Sequence, residues 1–109
     1  MTFFEKYVAA LNKGDIEAII ALFDENVYFS DWGAREIGGR RPLVANNTEE
    51  LRGIYTRAFA GGPPVVTLVK QEKYSMEYDV TLGKFIMPCI GCAGFGEDGL
   101  VTEYIIRPR

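Results

Sequence analysis

Apolar residues fall on a helical stripe at Phe4, Tyr7, Val8 and Leu11, behind a Thr2/Glu5 pair with capping-box spacing, so a first helix is predicted there. Gly14 stops it. Asp15 then caps a second helix, whose Ile16, Ile19, Ile20 and Phe23 share one stripe. After Asp24-Glu25-Asn26 the run Val27–Ser30 reads as a strand. Residues 33–46 carry Gly38-Gly39, Arg40-Arg41 and Pro42 and read as an irregular connection. Asn47-Thr-Glu-Glu50 repeats the capping pattern and opens a third helix presenting Leu51, Ile54, Tyr55 and Phe59. Gly61-Gly-Pro-Pro64 ends that helix.

The second half changes period. Val65–Val69 is an apolar run, and Tyr74, Met76, Tyr78, Val80 and Leu82 alternate with polar residues, giving a strand with one buried face. Leu82-Gly-Lys84 forms a turn. Phe85–Phe95 is a long apolar strand, and Glu97-Asp-Gly99 is a hairpin into Leu100–Ile106. Helices first and an antiparallel sheet afterwards is an α+β order, without the alternation of parallel βαβ units. The 109 residues make one domain, 1–109, with no internal repeat or linker.

Composition narrows the partners. With 48% hydrophobic and 13% aromatic residues a real core forms. A net charge of −3 argues against nucleic acid or anionic membrane as partner. Met1–Tyr7 lacks the basic and apolar regions of a signal peptide, and no window has transmembrane length. Two cysteines without a secretory leader point to reduced thiols and a cytoplasmic protein. Histidine is absent, which excludes Ser-His-Asp and Cys-His nucleophilic systems and any imidazole-dependent metal site.

Gly94-Phe-Gly96-Glu-Asp-Gly99 matches the spacing of a dinucleotide loop, but a strand follows where a helix is needed and the acids would repel phosphate. It reads as a hairpin. Cys89-Ile-Gly-Cys92 has dithiol spacing, yet in a strand these positions face opposite ways, so both are read as small core residues. Arg35, Arg40 and Arg41 form a solvated loop cluster or, less simply, an anion grip.

Two readings stay open at Asp31, in Asn26-Val-Tyr-Phe-Ser-Asp31-Trp-Gly33. Asp-x-Gly is ordinary strand punctuation, and an acid ending a buried strand is also placed to act as a general base at a pocket mouth. Tyr7 poses the same choice. Its ring belongs to a buried stripe, so its hydroxyl needs a partner, either backbone or something in a cavity, and Tyr55 on the third helix is in the same position.

Tyr7-Val-Ala-Ala-Leu-Asn-Lys-Gly-Asp15-Ile-Glu-Ala-Ile-Ile-Ala-Leu-Phe23-Asp-Glu-Asn, followed by a strand ending in Asp31, resembles the start of bacterial Δ5-3-ketosteroid isomerases and, more broadly, SnoaL-like members of the nuclear transport factor 2-like superfamily. The resemblance is tight over residues 6–32 and traceable to Ile106. It implies a cone-shaped, curved antiparallel sheet packed on three helices (a cystatin-like roll) around an apolar cavity. It places Tyr7 on the oxyanion-hole tyrosine, Asp31 on the catalytic base, and Tyr55 on a tyrosine that hydrogen-bonds the first. Gly91 falls where the isomerases carry a protonated Asp as second donor, and Tyr104 is a residue that could supply that donor instead. Gly91 is expected to share an apolar wall with Phe85, Met87, Cys89 and Ala93, while Trp32 and Tyr104 add aromatic surface.

The implied activity is that of an isomerase or cyclase acting without a cofactor on an apolar small molecule, in a homodimer formed through the outer sheet face. The alternative is a non-catalytic small-molecule-binding or association domain that keeps the cavity.

Overall fold

Thr2 and Glu5 exchange both hydrogen bonds of a capping box, at 2.8 and 3.2 Å, and start α1 (Phe3–Lys13). The helix ends at Gly14, whose φ of 67° is a left-handed conformation that suits glycine, and whose N–H reaches back to the Ala10 and Leu11 carbonyls. Asp15 then caps α2 (Ile16–Ile20) by accepting from the Ala18 N–H at 3.1 Å. The structure is a computed structural model, and it describes residues 1–33 and 41–109.

The predicted second helix is too long. Phe23 opens strand β1 (Phe23–Asp31) instead of closing the helical stripe, because its ring still reaches the core from an extended backbone. The connection after β1 is also more regular than expected, since Leu43–Ala45 forms β2, pairing Phe29 with Ala45 and Asp31 with Leu43. Gly38-Gly39, Arg35 and Arg40 lie outside the described residues, so the arginine cluster is represented by exposed Arg41 alone.

In α3 (Thr48–Ala58), Asn47 accepts from the Glu50 N–H at 2.8 Å, while Glu50 reaches back one residue further than a capping box, to the Asn46 N–H at 2.7 Å. Arg52 ties α3 to α2 through Glu17 at 2.9 Å and also binds Glu49.

Four strands follow: β3 (Val65–Gln71), β4 (Ser75–Leu82), β5 (Phe85–Phe95) and β6 (Val101–Pro108). The six-stranded sheet has the order β2-β1-β6-β5-β4-β3. It is not wholly antiparallel, because β1 and β6 run parallel, Phe29 beside Tyr104 and Asp31 beside Ile106. The cause is topological. The α3 crossover starts β3 at the far edge, and three antiparallel steps return β6 to the side of β1. Register shifts at Phe23/Tyr28, Leu68/Lys70 and Gly94/Phe95 mark bulges, which add twist and bend the sheet around the helices.

The core lies in the concavity. Ile19, Val27, Leu51 and Val101 have no exposed surface, and burying such a side chain contributes about 1.5–3 kcal/mol. Asn12 fastens α1 to β3 with a pair of hydrogen bonds to the Val66 backbone, donating at 2.9 Å and accepting at 2.7 Å.

Candidate functional site

Alternation along β1 turns Val27, Phe29 and Asp31 toward the helices, and the two apolar residues are buried. Asp31 therefore ends the strand on the same inner face, half-buried at the wall of a cavity of about 230 Å³. Its Oδ1 accepts from the Gly33 N–H at 2.8 Å, a local turn bond that orients the carboxylate. Leu43, beside Asp31 on β2, lines the same cavity.

Across from the sheet, Tyr7 on α1 and Tyr55 on α3 both line the cavity, and their hydroxyls share a hydrogen bond of 2.5 Å. Helical spacing sends each ring inward, and neighbouring rings fix its orientation. Phe3 stacks on Tyr7 at 5.6 Å between centroids, while Phe29 and Phe59 lie 6.1 and 5.6 Å from Tyr55. Tyr7 meets Tyr104 edge to face at 5.2 Å.

Tyr78 on β4 is a cavity phenol that the sequence reading passed over as a member of a buried face. The signal was present, since a phenol on a buried stripe needs a polar partner, the argument already applied to Tyr7. Cys89, which pairs with Tyr78 across β4 and β5, also lines the cavity. Its thiol is pushed up to about 12, mainly by burial and secondly by the Asp31 charge, so it stays protonated. Cys92 faces the other way and is half-buried.

Burial also pushes the pKa of Tyr7, Tyr55, Tyr78 and Tyr104 well above the usual phenol range. The negative charge of Asp31 adds to this at Tyr55, Tyr78 and Tyr104. These hydroxyls are therefore neutral donors at physiological pH.

The other residues singled out from sequence divide. Met87 lines the cavity. Gly91 is buried on the same β5 face as Met87, Cys89 and Ala93, but a side chain from β6 covers it. A Cβ built on Gly91 would fall onto the Tyr104 hydroxyl and lie 2.7 Å from its Cζ. Tyr104, with no exposed surface, thus fills the volume where the resemblance places an acid. It stands behind the cavity wall and is not among the described lining residues. The Tyr104 hydroxyl has no hydrogen bond of ordinary geometry, although the Tyr78 phenol is close enough to affect its ionisation. Trp32 and Phe85 are 38% and 46% exposed, and neither is among the described lining residues.

A carboxylate and three phenols facing an apolar space can take a proton from carbon and receive negative charge on oxygen. Among the described residues no cluster of three or more His, Cys, Asp or Glu is placed to hold a metal ion. No described helix is long and apolar enough to cross a membrane.

No protein-family model matches the sequence, and no curated protein matches it significantly. Solved structures do match. A SnoaL-like protein of unknown function from Burkholderia thailandensis E264 superposes with a TM-score of 0.78 at 15% identity, over 98% of this chain and 91% of that one. An NTF-2-like protein of unknown function from Burkholderia xenovorans LB400 gives 0.74 at 14% identity, over 97% and 79%. A candidate ketosteroid isomerase from Kribbella flavida DSM 17836 gives 0.72 at 16% identity, over 98% and 75%. With an inward carboxylate, a helix-borne phenol pair and a sheet bent over three helices, the chain has the nuclear transport factor 2-like fold shared with SnoaL-like and ketosteroid isomerase-like structures.

Proposed function

We propose that this protein is an isomerase- or cyclase-like enzyme that enolises a small carbonyl compound without a cofactor. Asp31 removes a proton next to the carbonyl, and Tyr7, held by Tyr55, donates a hydrogen bond to the enolate oxygen. The observation that carries the reading is the 2.5 Å bond between two buried phenols that share one apolar cavity with the strand-end carboxylate. A buried phenol whose partner already orients it needs little reorganisation when charge develops, which is where such donors are worth most. A general base in this setting contributes about 10²–10⁴-fold.

The Asp31–Gly33 turn bond supports a second reading, a binding domain in which Asp31 closes the strand and performs no chemistry. Deuterium exchange of α-protons in D2O, followed by NMR over a panel of enolisable ketones, separates the two. Exchange that disappears in Asp31→Asn supports the enzyme. A ketone that binds but exchanges no faster than in buffer supports the binding domain.

Cytoplasmic residence and a homodimer through the outer sheet face, where Tyr28, Val44 and Ile86 are exposed, belong to the same proposal. Sedimentation velocity tests the dimer, and a strictly monomeric protein at micromolar concentration would remove it.

A further inference from the structure

The cavity holds a third phenol, Tyr78, and behind it the buried Tyr104 hydroxyl, which makes no hydrogen bond of ordinary geometry among the described residues. Tyr104 is fully buried, its oxygen has no hydrogen bond of ordinary geometry among the described residues, and it lies over Gly91. Leaving a buried hydroxyl unsatisfied is costly, and such exceptions in a well-packed interior call for an explanation. On the opposite wall, Tyr55 satisfies and orients Tyr7. The two walls therefore carry corresponding parts: a phenol on the cavity surface, Tyr7 or Tyr78, with a second buried phenol nearby, Tyr55 or Tyr104. The difference is that Tyr78 and Tyr104 stand close together without a hydrogen bond of ordinary geometry between them.

Asp31 on β1 and Tyr78 on β4 are separated by β6 and β5. At about 4.8 Å per strand the backbones stand roughly 14 Å apart, so a molecule touching both lies across the inner face of the sheet. The volume limits its size. About 230 Å³ is below the roughly 300–1,000 Å³ of sites for drug-sized ligands. Such a volume favours a short chain or single ring over a four-ring skeleton.

We infer that the ligand is a compact molecule with two oxygen acceptors on carbons flanking one enolisable carbon, a β-keto ester or 1,3-dicarbonyl, with one oxygen met by Tyr7 and the other by Tyr78. Tyr104 is a positioning residue that donates to the Tyr78 oxygen once Tyr78 turns its own proton to the ligand. This rests on the enolising role proposed above. The chemistry suits the donors present. Asp31 takes the proton from the carbon between the carbonyls, and the C–H electron pair becomes a carbon–carbon double bond. One carbonyl π pair moves onto oxygen, so the charge spreads over both oxygens and each phenol meets part of it. The protonated Asp31 then returns a proton to carbon. Two neutral phenols in this way share the charge that develops on the two oxygens.

The test uses methyl acetoacetate, with 2-pentanone as the one-oxygen counterpart and a Δ5-3-ketosteroid as the large one. Exchange at carbon in D2O and binding by NMR chemical-shift titration are measured for wild type, Tyr78→Phe, Tyr104→Phe and Asp31→Asn, with near-UV circular dichroism as the check on folding. The expected result is tighter binding of the keto ester than of 2-pentanone, and no binding of the steroid. Tyr78→Phe should cut keto-ester exchange by about tenfold to a hundredfold, clearly more than it cuts 2-pentanone exchange, while Tyr104→Phe gives a smaller loss in the same direction. If Tyr78→Phe lowers both substrates equally, or if the keto ester binds no better than 2-pentanone, the two-oxygen site is overturned. Exchange lost in Asp31→Asn but untouched in Tyr78→Phe overturns it while keeping the enolising base. No exchange in any protein, with keto-ester binding still selectively weakened by Tyr78→Phe, supports the site and removes the enolising role.

Discussion

Tyr104 occupies the space that any side chain at Gly91 would need, with the tyrosine Cζ 2.7 Å and Cε1 3.0 Å from where a Cβ would stand. The glycine and the tyrosine form one packing unit on neighbouring strands. Gly91→Ala is expected to destabilise by about 1–3 kcal/mol, the usual cost of overpacking. Tyr104→Leu should recover part of that loss in the double variant, because it removes the atoms that collide. Urea denaturation of the two single variants and the pair measures the coupling, and strictly additive losses would show that the two residues do not share the space.

The Tyr7–Tyr55 bond makes a different pattern of losses. Tyr55→Phe leaves a buried hydroxyl on Tyr7 without its partner, at an expected cost of about 1–3 kcal/mol, and Tyr7→Phe does the same to Tyr55. Removing both hydroxyls should cost less than the sum of the two, since neither is then orphaned. A double-mutant cycle by thermal unfolding reads this. For catalysis, Tyr7→Phe is the severe change, and Tyr55→Phe should act more weakly through the orientation of Tyr7.

Asp31→Asn keeps an oxygen able to accept from the Gly33 N–H, so its stability should stay within about 0.5 kcal/mol of wild type. Asp31→Ala loses the turn bond and should cost about 1 kcal/mol. Both should abolish turnover. An Asp31→Asn protein that unfolds, or one that still exchanges α-protons at the wild-type rate, would count against Asp31 as the base.

Alkaline stability follows from the buried phenols. The folded-state ionisation of Tyr7, Tyr55, Tyr78 and Tyr104 lies above the ordinary value of 10.0. Between the unfolded and folded values the native state holds more protons than the unfolded chain, so stability declines with rising pH there. The stabilisation is fully present below about pH 10 and falls above it, by up to about 1.4 kcal/mol per pH unit for each phenol involved. Phenolate absorbance and circular dichroism followed together should show the buried tyrosines ionising in one step with unfolding. Ionisation of all of them in a still-native protein would contradict their burial.

Asn12 replaces a missing strand neighbour at the edge of the sheet, through its two bonds to the Val66 backbone beside the cavity. Asn12→Ala should cost about 1–3 kcal/mol and raise amide exchange at Val66 before that of the central strands. Unchanged exchange at Val66 would mean that water replaces the side chain at no cost.

The order of elements was legible in the sequence because each rests on local rules. The Thr2/Glu5 box, Gly14, Asp15 and Asn47 mark helix ends through backbone groups that only nearby residues can satisfy. The alternation from Met76 to Val80 marks a half-buried strand by period alone. The inward direction of Asp31 was also implied, since its parity with Val27 and Phe29 fixes its face once those two are buried. The Tyr7–Tyr55 pairing came from resemblance, and burial of both rings made a partner necessary without naming it. Other features depended on residues far apart in the chain. Phe23 left the helical stripe because the sheet needed a first strand, and the parallel β1–β6 pair depends on where the α3 crossover lands. The fate of Gly91 was decided by Tyr104, a residue that reaches it only through strand pairing. Tyr78 became a cavity phenol for the same reason: periodicity says which face is buried, and only tertiary packing says whether that face meets another side chain or an open space.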